Sequence, residues 1–190
     1  MPPSKIMLIR HAERPDPNGN FGVTIAGRED RRELSVRGWQ RAGALISLFG
    51  PSVTRGSVSR LASPTAIFAS RPTPNSVRPL HTVETLAQLL SIGIGVSYDN
   101  GDEAALVASA LNAGGVVLVS WKHDALPRLG NTIIGDTIIG DTETCPQTWP
   151  AERFDLVWVF DRVDASSPWK FEQVPQLLLH GDRTEPIAKS

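Results

Sequence analysis

Residues 115–121 read GVVLVSW, a run that is almost entirely apolar and rich in β-branched valine. A strand with one solvated face alternates apolar and polar side chains. A strand apolar at successive positions is buried on both faces, as at the centre of a parallel sheet covered by helices. Parallel neighbours need long crossover connections, so this run demands strands alternating with helices elsewhere in the chain.

The rest of the sequence supplies that alternation. Strands are expected at 5–10, at 65–70 (TAIFAS), at 94–99 (IGVSYD), at 155–163 (DLVWVFDRV) and at 169–179 (WKFEQVPQLLL). Between them, LSVRGWQRAGALISLFG has apolar residues at helical spacing, Ser35 as its N-cap and Gly50-Pro51 as its stop. VRPLHTVETLAQLLSIG is a second helix, with Pro79 tolerated only in its first turn, and DEAALVASALNAG a third, closed by Gly114. PDPNGNFG, SVTRGSVSRLASP and RPTPNS are loops. The expected fold is α/β: a three-layer α/β/α sandwich with a mostly parallel central sheet and helices on both faces. At 190 residues the chain suits one domain spanning 1–190. TIIGDTIIGD at 132–141 repeats with a period of five, which matches neither helix nor strand, and is read as a local duplication in a helix or loop.

Charge and cysteine content narrow the partners. A net charge of −1 provides no field to attract nucleic acid or a membrane surface. No apolar stretch reaches membrane-spanning length, and the short apolar run near the N-terminus is interrupted by Arg10, unlike a signal peptide. The single cysteine, Cys145, excludes an internal disulfide and has no activating neighbour in sequence. A cytoplasmic location is expected.

In open α/β sheets, ligands bind beyond the carboxyl ends of the strands. Those ends here carry Arg10-His11, then Ser70-Arg71, then Asp99 with Asp102 and Glu103 close behind, then Trp121-Lys122-His123-Asp124. Two of the four histidines therefore fall on one sheet edge, with arginines beside them. A neutral imidazole held in one orientation can attack phosphorus and carry the phosphoryl group. Arginines hold the phosphoryl oxygens through paired hydrogen bonds, a second histidine adds another, and a carboxylic acid protonates the leaving alkoxide. This chemistry calls for no metal and no cofactor. His81 and His180 are read as surface residues. Trp121 either walls the pocket or packs in the core, and Glu13 either binds His11, binds an arginine or faces solvent.

These motifs resemble the histidine phosphatase superfamily, the phosphoglycerate-mutase-like fold. LIRHAERPD resembles the family's Arg-His-Gly strand end, and LSVRGWQRAGAL its Leu-Thr-x-x-Gly-x-x-Gln-Ala helix. VRPLHTVETLAQLL resembles its Arg-Ala-x-x-Thr-Ala-Glu helix, and VVLVSWKHDALPRL the late strand ending in a second catalytic histidine. The segments keep the family's order over about the first 130 residues. The resemblance implies His11 as the phosphorylated nucleophile, Arg10 and Arg78 as clamps on the phosphoryl oxygens, and His123 completing the pocket. Arg14 and the His123-Asp124 pair match the acid-phosphatase branch, which implies Arg14 as a further phosphate ligand and Asp124 as proton donor. The helix motifs instead match the mutase-type branch.

Three positions depart from the pattern. Ala12 stands where the family has glycine. Arg71 rivals Arg78, which is favoured because Thr82 and Glu84 follow it in register. Asp99, Asp102 and Glu103 are alternative acids to Asp124. The expected activity is hydrolysis of a phosphomonoester or phosphohistidine, on a small phosphorylated substrate or a phosphoprotein. Mutase-type transfer and a non-catalytic phosphoryl-ligand binder are the alternatives. Specificity is expected from loops 15–30, 51–64 and 125–150; no oligomeric state is assigned.

Overall fold

A computed structural model describes residues 3–17, 19–51, 60–135 and 145–188. Its elements run β1 (Pro3–Arg10), α1 (Val36–Phe49), β2 (Ala66–Ala69), α2 (Arg78–Leu90), β3 (Ile94–Gly95), α3 (Glu103–Ala113), β4 (Gly115–Trp121), α4 (Leu126–Ile134), β5 (Leu156–Asp161) and β6 (Lys170–Pro175). The protein is an α/β fold built on a six-stranded mixed sheet of order β3-β2-β4-β1-β5-β6.

The apolar run GVVLVSW is β4, set between β2 and β1 and parallel to both. Side chains on successive residues of a strand point to opposite faces. Ile6 and Leu8 of β1 join a cluster with Leu106 of α3 and Leu129 of α4, whereas Met7 and Ile9 join Leu45 of α1 and Leu86 of α2. Each such buried side chain contributes about 1.5–3 kcal/mol relative to an exposed one. The all-apolar pattern of the central strands follows directly, since both faces of the sheet are packed.

Local signals act where the sequence places them. The Ser35 side chain accepts from the Gly38 N–H to cap α1, Gly50 ends that helix, and Pro79 lies in the first turn of α2. Strand lengths differ from expectation at both edges, where β6 spans Lys170–Pro175 rather than 169–179. β3 is only Ile94–Gly95, and beyond it the Tyr98 carbonyl accepts from the Arg71 N–H in a loop contact. β5 and β6 are antiparallel, β5 to β1 and β6 to β5. The connection at 162–169 is too short for a parallel crossover, so β6 folds straight back on β5. The first TIIGD copy begins in the last turn of α4, whose stop is Gly135, and the second copy lies outside the described residues.

Candidate functional site

The chain leaves β1 through α1 toward β2 on one side, and leaves β4 through α4 toward β5 on the other. Connections that diverge from adjacent parallel strands open a crevice at their carboxyl ends. Arg10 pairs in register with Trp121 at this point, and the His11 N–H continues the ladder to the Trp121 carbonyl at 3.0 Å. His11 and His123 therefore emerge from neighbouring strand ends.

The loop after β1 is fixed from three sides. The Ala12 N–H donates to Thr82 Oγ1 at 2.8 Å, and Thr82 Oγ1 donates to the Arg78 carbonyl at 2.8 Å. The Glu13 carbonyl accepts from the Ser35 N–H at 2.9 Å. Gly38 lets α1 approach this loop, since a Cβ there would stand 2.4 Å from the Glu13 carbonyl oxygen. Ala12 itself is buried against Leu34, Ala42 and Trp39. Among the described non-glycine residues only Ser91 and Leu177 have positive φ, so Ala12 occupies a conformation that needs no glycine.

His11 is 5% exposed, and its Nδ1 lies 2.7 Å from the Ala12 carbonyl oxygen. A carbonyl can only accept, so this bond places the proton on Nδ1 and leaves the Nε2 lone pair available in the neutral ring. Burial, and then the Arg10, Arg78 and His123 charges, lower the His11 pKa to about 3, against the Ala12 bond that favours the charged form. The ring is thus a neutral imidazole with a fixed tautomer at neutral pH.

Cations converge around it. Arg10 is fully buried, its guanidinium carbon 3.7 Å from the centroid of the Phe154 ring. Its Nη1 donates to the carbonyls of Pro150, Ala151 and Arg153, while its Nε makes no hydrogen bond among the described residues. Burial first, then Arg14, lower its pKa to about 9, so it stays charged at neutral pH. Arg78 Nη1 donates to the Arg31 and Arg32 carbonyls at 3.0 and 3.1 Å, and its buried Nε has no partner among the described residues. Burial, and then Arg14, lower the Arg78 pKa; burial, and then Arg10, lower that of His123. Arg14 thus acts on Arg10, Arg78 and His123, and Arg10, Arg78 and His123 act on His11. Among the described residues Arg10, Arg14 and Arg78 form no ion pair; Glu13 is engaged with Arg41 and Glu33 with His81, and Glu152 acts on Arg10 only at a distance. A set of guanidinium groups with no ion-pair partner near a neutral imidazole suits a tetrahedral oxyanion.

The remaining candidates separate cleanly. Arg71 is exposed and donates to the Ser97 carbonyl. Asp99 binds Lys122 at 2.6 Å and Ser70 at 3.1 Å, and Glu103 is buried with Arg128 at 3.1 Å. Asp102 accepts from the Asp99 N–H. Asp124 is exposed, accepts from Asn100 Nδ2 at 3.3 Å and exerts its charge on His123. Trp121 is a core residue with no exposure. His81 is held at 2.6 Å by Glu33 and stacks on Trp39, while His180 is exposed. Glu13 binds Arg41 and Arg37 rather than His11.

Sequence reasoning passed over the segment 150–154. Its carbonyls hold Arg10, Phe154 stacks on it, and Glu152 acts electrostatically on both Arg10 and His123. The signal available was the placement of WPAERF immediately before the strand that pairs with β1. No group of three or more His, Cys, Asp or Glu side chains able to hold a metal occurs among the described residues, and no described helix is long and apolar enough to cross a membrane. No family model and no curated protein matches this chain.

Proposed function

We propose that this protein is a phosphatase of the histidine phosphatase superfamily, with the three-layer sandwich of that fold and a phosphohistidine intermediate on His11. The observation that carries the proposal is the neutral, tautomer-fixed His11 imidazole surrounded by guanidinium groups that have no carboxylate partner. The shared motif order over the first four strands supports it, as does the position at the diverging strand ends.

In the first step His11 Nε2 attacks the phosphorus of a phosphomonoester or phosphohistidine. The P–N bond forms as the bond to the leaving group breaks, and that group takes a proton from the Asp124 carboxyl. Arg10, Arg14 and Arg78 hold the equatorial oxygens and balance the charge that develops on them, and His123 donates a further hydrogen bond. In the second step water attacks phosphorus and gives its proton to the Asp124 carboxylate. The P–N bond breaks, its electrons return to Nε2, and inorganic phosphate leaves. Ordering the guanidinium groups in advance, through backbone carbonyls on Arg10 and Arg78, avoids reorganisation during the reaction.

Hydrolysis of p-nitrophenyl phosphate tests this. The wild type turns the ester over, and His11→Ala lowers kcat by about 10³-fold or more, the scale for loss of a nucleophile. Absence of turnover by the wild type on this ester, on alkyl phosphates and on phosphohistidine refutes the proposal.

A further inference from the structure

Beside the His11 cluster lies a cleft of about 350 Å³, whose walls include Glu13, Arg14, Ser35, Arg37, Glu152 and Phe154. Phe154 joins the two spaces: its ring packs on the Arg10 guanidinium, lies 6.2 Å from the His11 ring and forms part of the cleft wall. A group attached to a phosphoryl held by Arg10 and Arg14 would have this cleft beside it.

The charges facing that group are unequal. Glu13 is taken by Arg41 at 2.8 Å and by Arg37 at 3.2 Å. Arg37 is shared further with Asp182 at 3.6 Å and with the His180 carbonyl at 2.7 Å. Asp16 accepts from Asn20. Arg14 acts on Arg10, Arg78 and His123, and so belongs with the phosphoryl-facing cations. Glu152 is exposed and forms no ion pair among the described residues, yet it stands close enough to influence both Arg10 and His123. With a phosphoryl dianion absorbing the arginines, the cleft wall still carries the carboxylates of Glu152 and of Asp16, whose Asn20 partner is neutral, and of the two it is Glu152 that acts on Arg10 and His123.

We propose that this cleft selects phosphomonoesters whose leaving group carries a positive charge, and that Glu152 is the residue that determines this selectivity. The inference rests on the phosphatase reading above. A substrate with a carboxylate or a second phosphate next to the reacting ester meets Glu152 as a like charge, whereas an ammonium group meets it as a counter-ion.

Three esters of similar size test it: phosphoethanolamine, propyl phosphate and phosphoglycolate, whose leaving groups are cationic, neutral and anionic. The readout is kcat/KM for wild type, E152Q and E152K, compared as ratios between substrates so that intrinsic leaving-group reactivity cancels. The phosphoethanolamine-to-phosphoglycolate ratio falls by roughly two- to fivefold for each unit of charge changed at position 152, the scale of an exposed ion pair. The wild-type ratio also falls as salt is raised. A ratio unchanged in E152K overturns the inference, and so does an equal loss on all three esters in E152Q. Either result leaves turnover of p-nitrophenyl phosphate in place, so the phosphatase reading stands. If the wild type hydrolyses none of the four esters, this inference falls, and if it leaves phosphohistidine intact as well, the phosphatase reading falls with it.

Discussion

Replacing His11 by asparagine should change how stability depends on pH, whatever the protein acts on. In the native state burial and the surrounding cations hold the His11 pKa at about 3, against 6.5 for a free histidine. Between these values the unfolded chain binds a proton that the native chain refuses. The unfolded state therefore gains on acidification, and native stability falls as pH drops below 6.5. Each pH unit in that window is worth about 1.36 kcal/mol. From pH 7.5 to pH 5.0 this one group removes about 2 kcal/mol from the wild type. Asparagine has no such titration, and its amide can still donate to the Ala12 carbonyl that His11 Nδ1 contacts. Urea unfolding of both proteins at the two pH values isolates the term, since the other titrating groups are common to both. His11→Asn gains about 2 kcal/mol on the wild type between pH 7.5 and 5.0. A stability gap that is the same at both pH values, or that moves the other way, refutes the picture of a buried neutral imidazole among cations.

Other perturbations probe the supports and the acid. Arg41 is buried and pairs with Glu13 and Asp182, so Arg41→Met leaves these two carboxylates with only the exposed Arg37 as counter-ion and costs about 3 kcal/mol at pH 7 by urea unfolding. Burial alone raises the Asp182 pKa, but hydrogen bonds from Arg41 and from the Leu178 and Leu179 N–H groups hold it at about 2. The stability it contributes is present above its unfolded value of 3.8 and is lost only as pH falls toward 2, so the deficit of Arg41→Met narrows on acidification. Arg78→Ala weakens vanadate binding by about tenfold or more, on the scale of a charge-assisted hydrogen bond, while Arg71→Ala leaves it within about twofold; titration calorimetry decides. Asp124→Asn lowers kcat on propyl phosphate by about 10²-fold and much less on p-nitrophenyl phosphate, whose leaving group needs little proton donation.

Much of the architecture is written in local patterns. The apolar run of β4 gave its central place, Ser35 and Gly50 bounded α1, and Pro79 marked the first turn of α2, because each acts through its own backbone or its immediate neighbours. The direction of β5 was not legible: a doubly buried strand has the same composition whether its partner runs parallel or antiparallel. The length of 162–169 did carry the antiparallel return of β6. At the candidate site, Arg10, His11 and His123 could be picked out because strand ends share an edge, and Arg78 was preferred to Arg71 for the register of Thr82, whose hydroxyl accepts from the Ala12 N–H. The roles of Phe154 and Glu152 were hidden because they reach Arg10 from more than 140 positions away, through contacts that only the folded chain creates. Ala12 packs with Leu34, Ala42 and Trp39 at a backbone angle that needs no glycine.

The central claim is tested most directly by trapping the intermediate. Wild-type protein mixed with a labelled phosphomonoester, quenched in base within milliseconds and digested, should yield phosphate in the peptide containing His11, bound to Nε2 and lost in acid. His11→Asn should yield none. Turnover by wild type with no label on His11, or with label on another residue, would contradict the account.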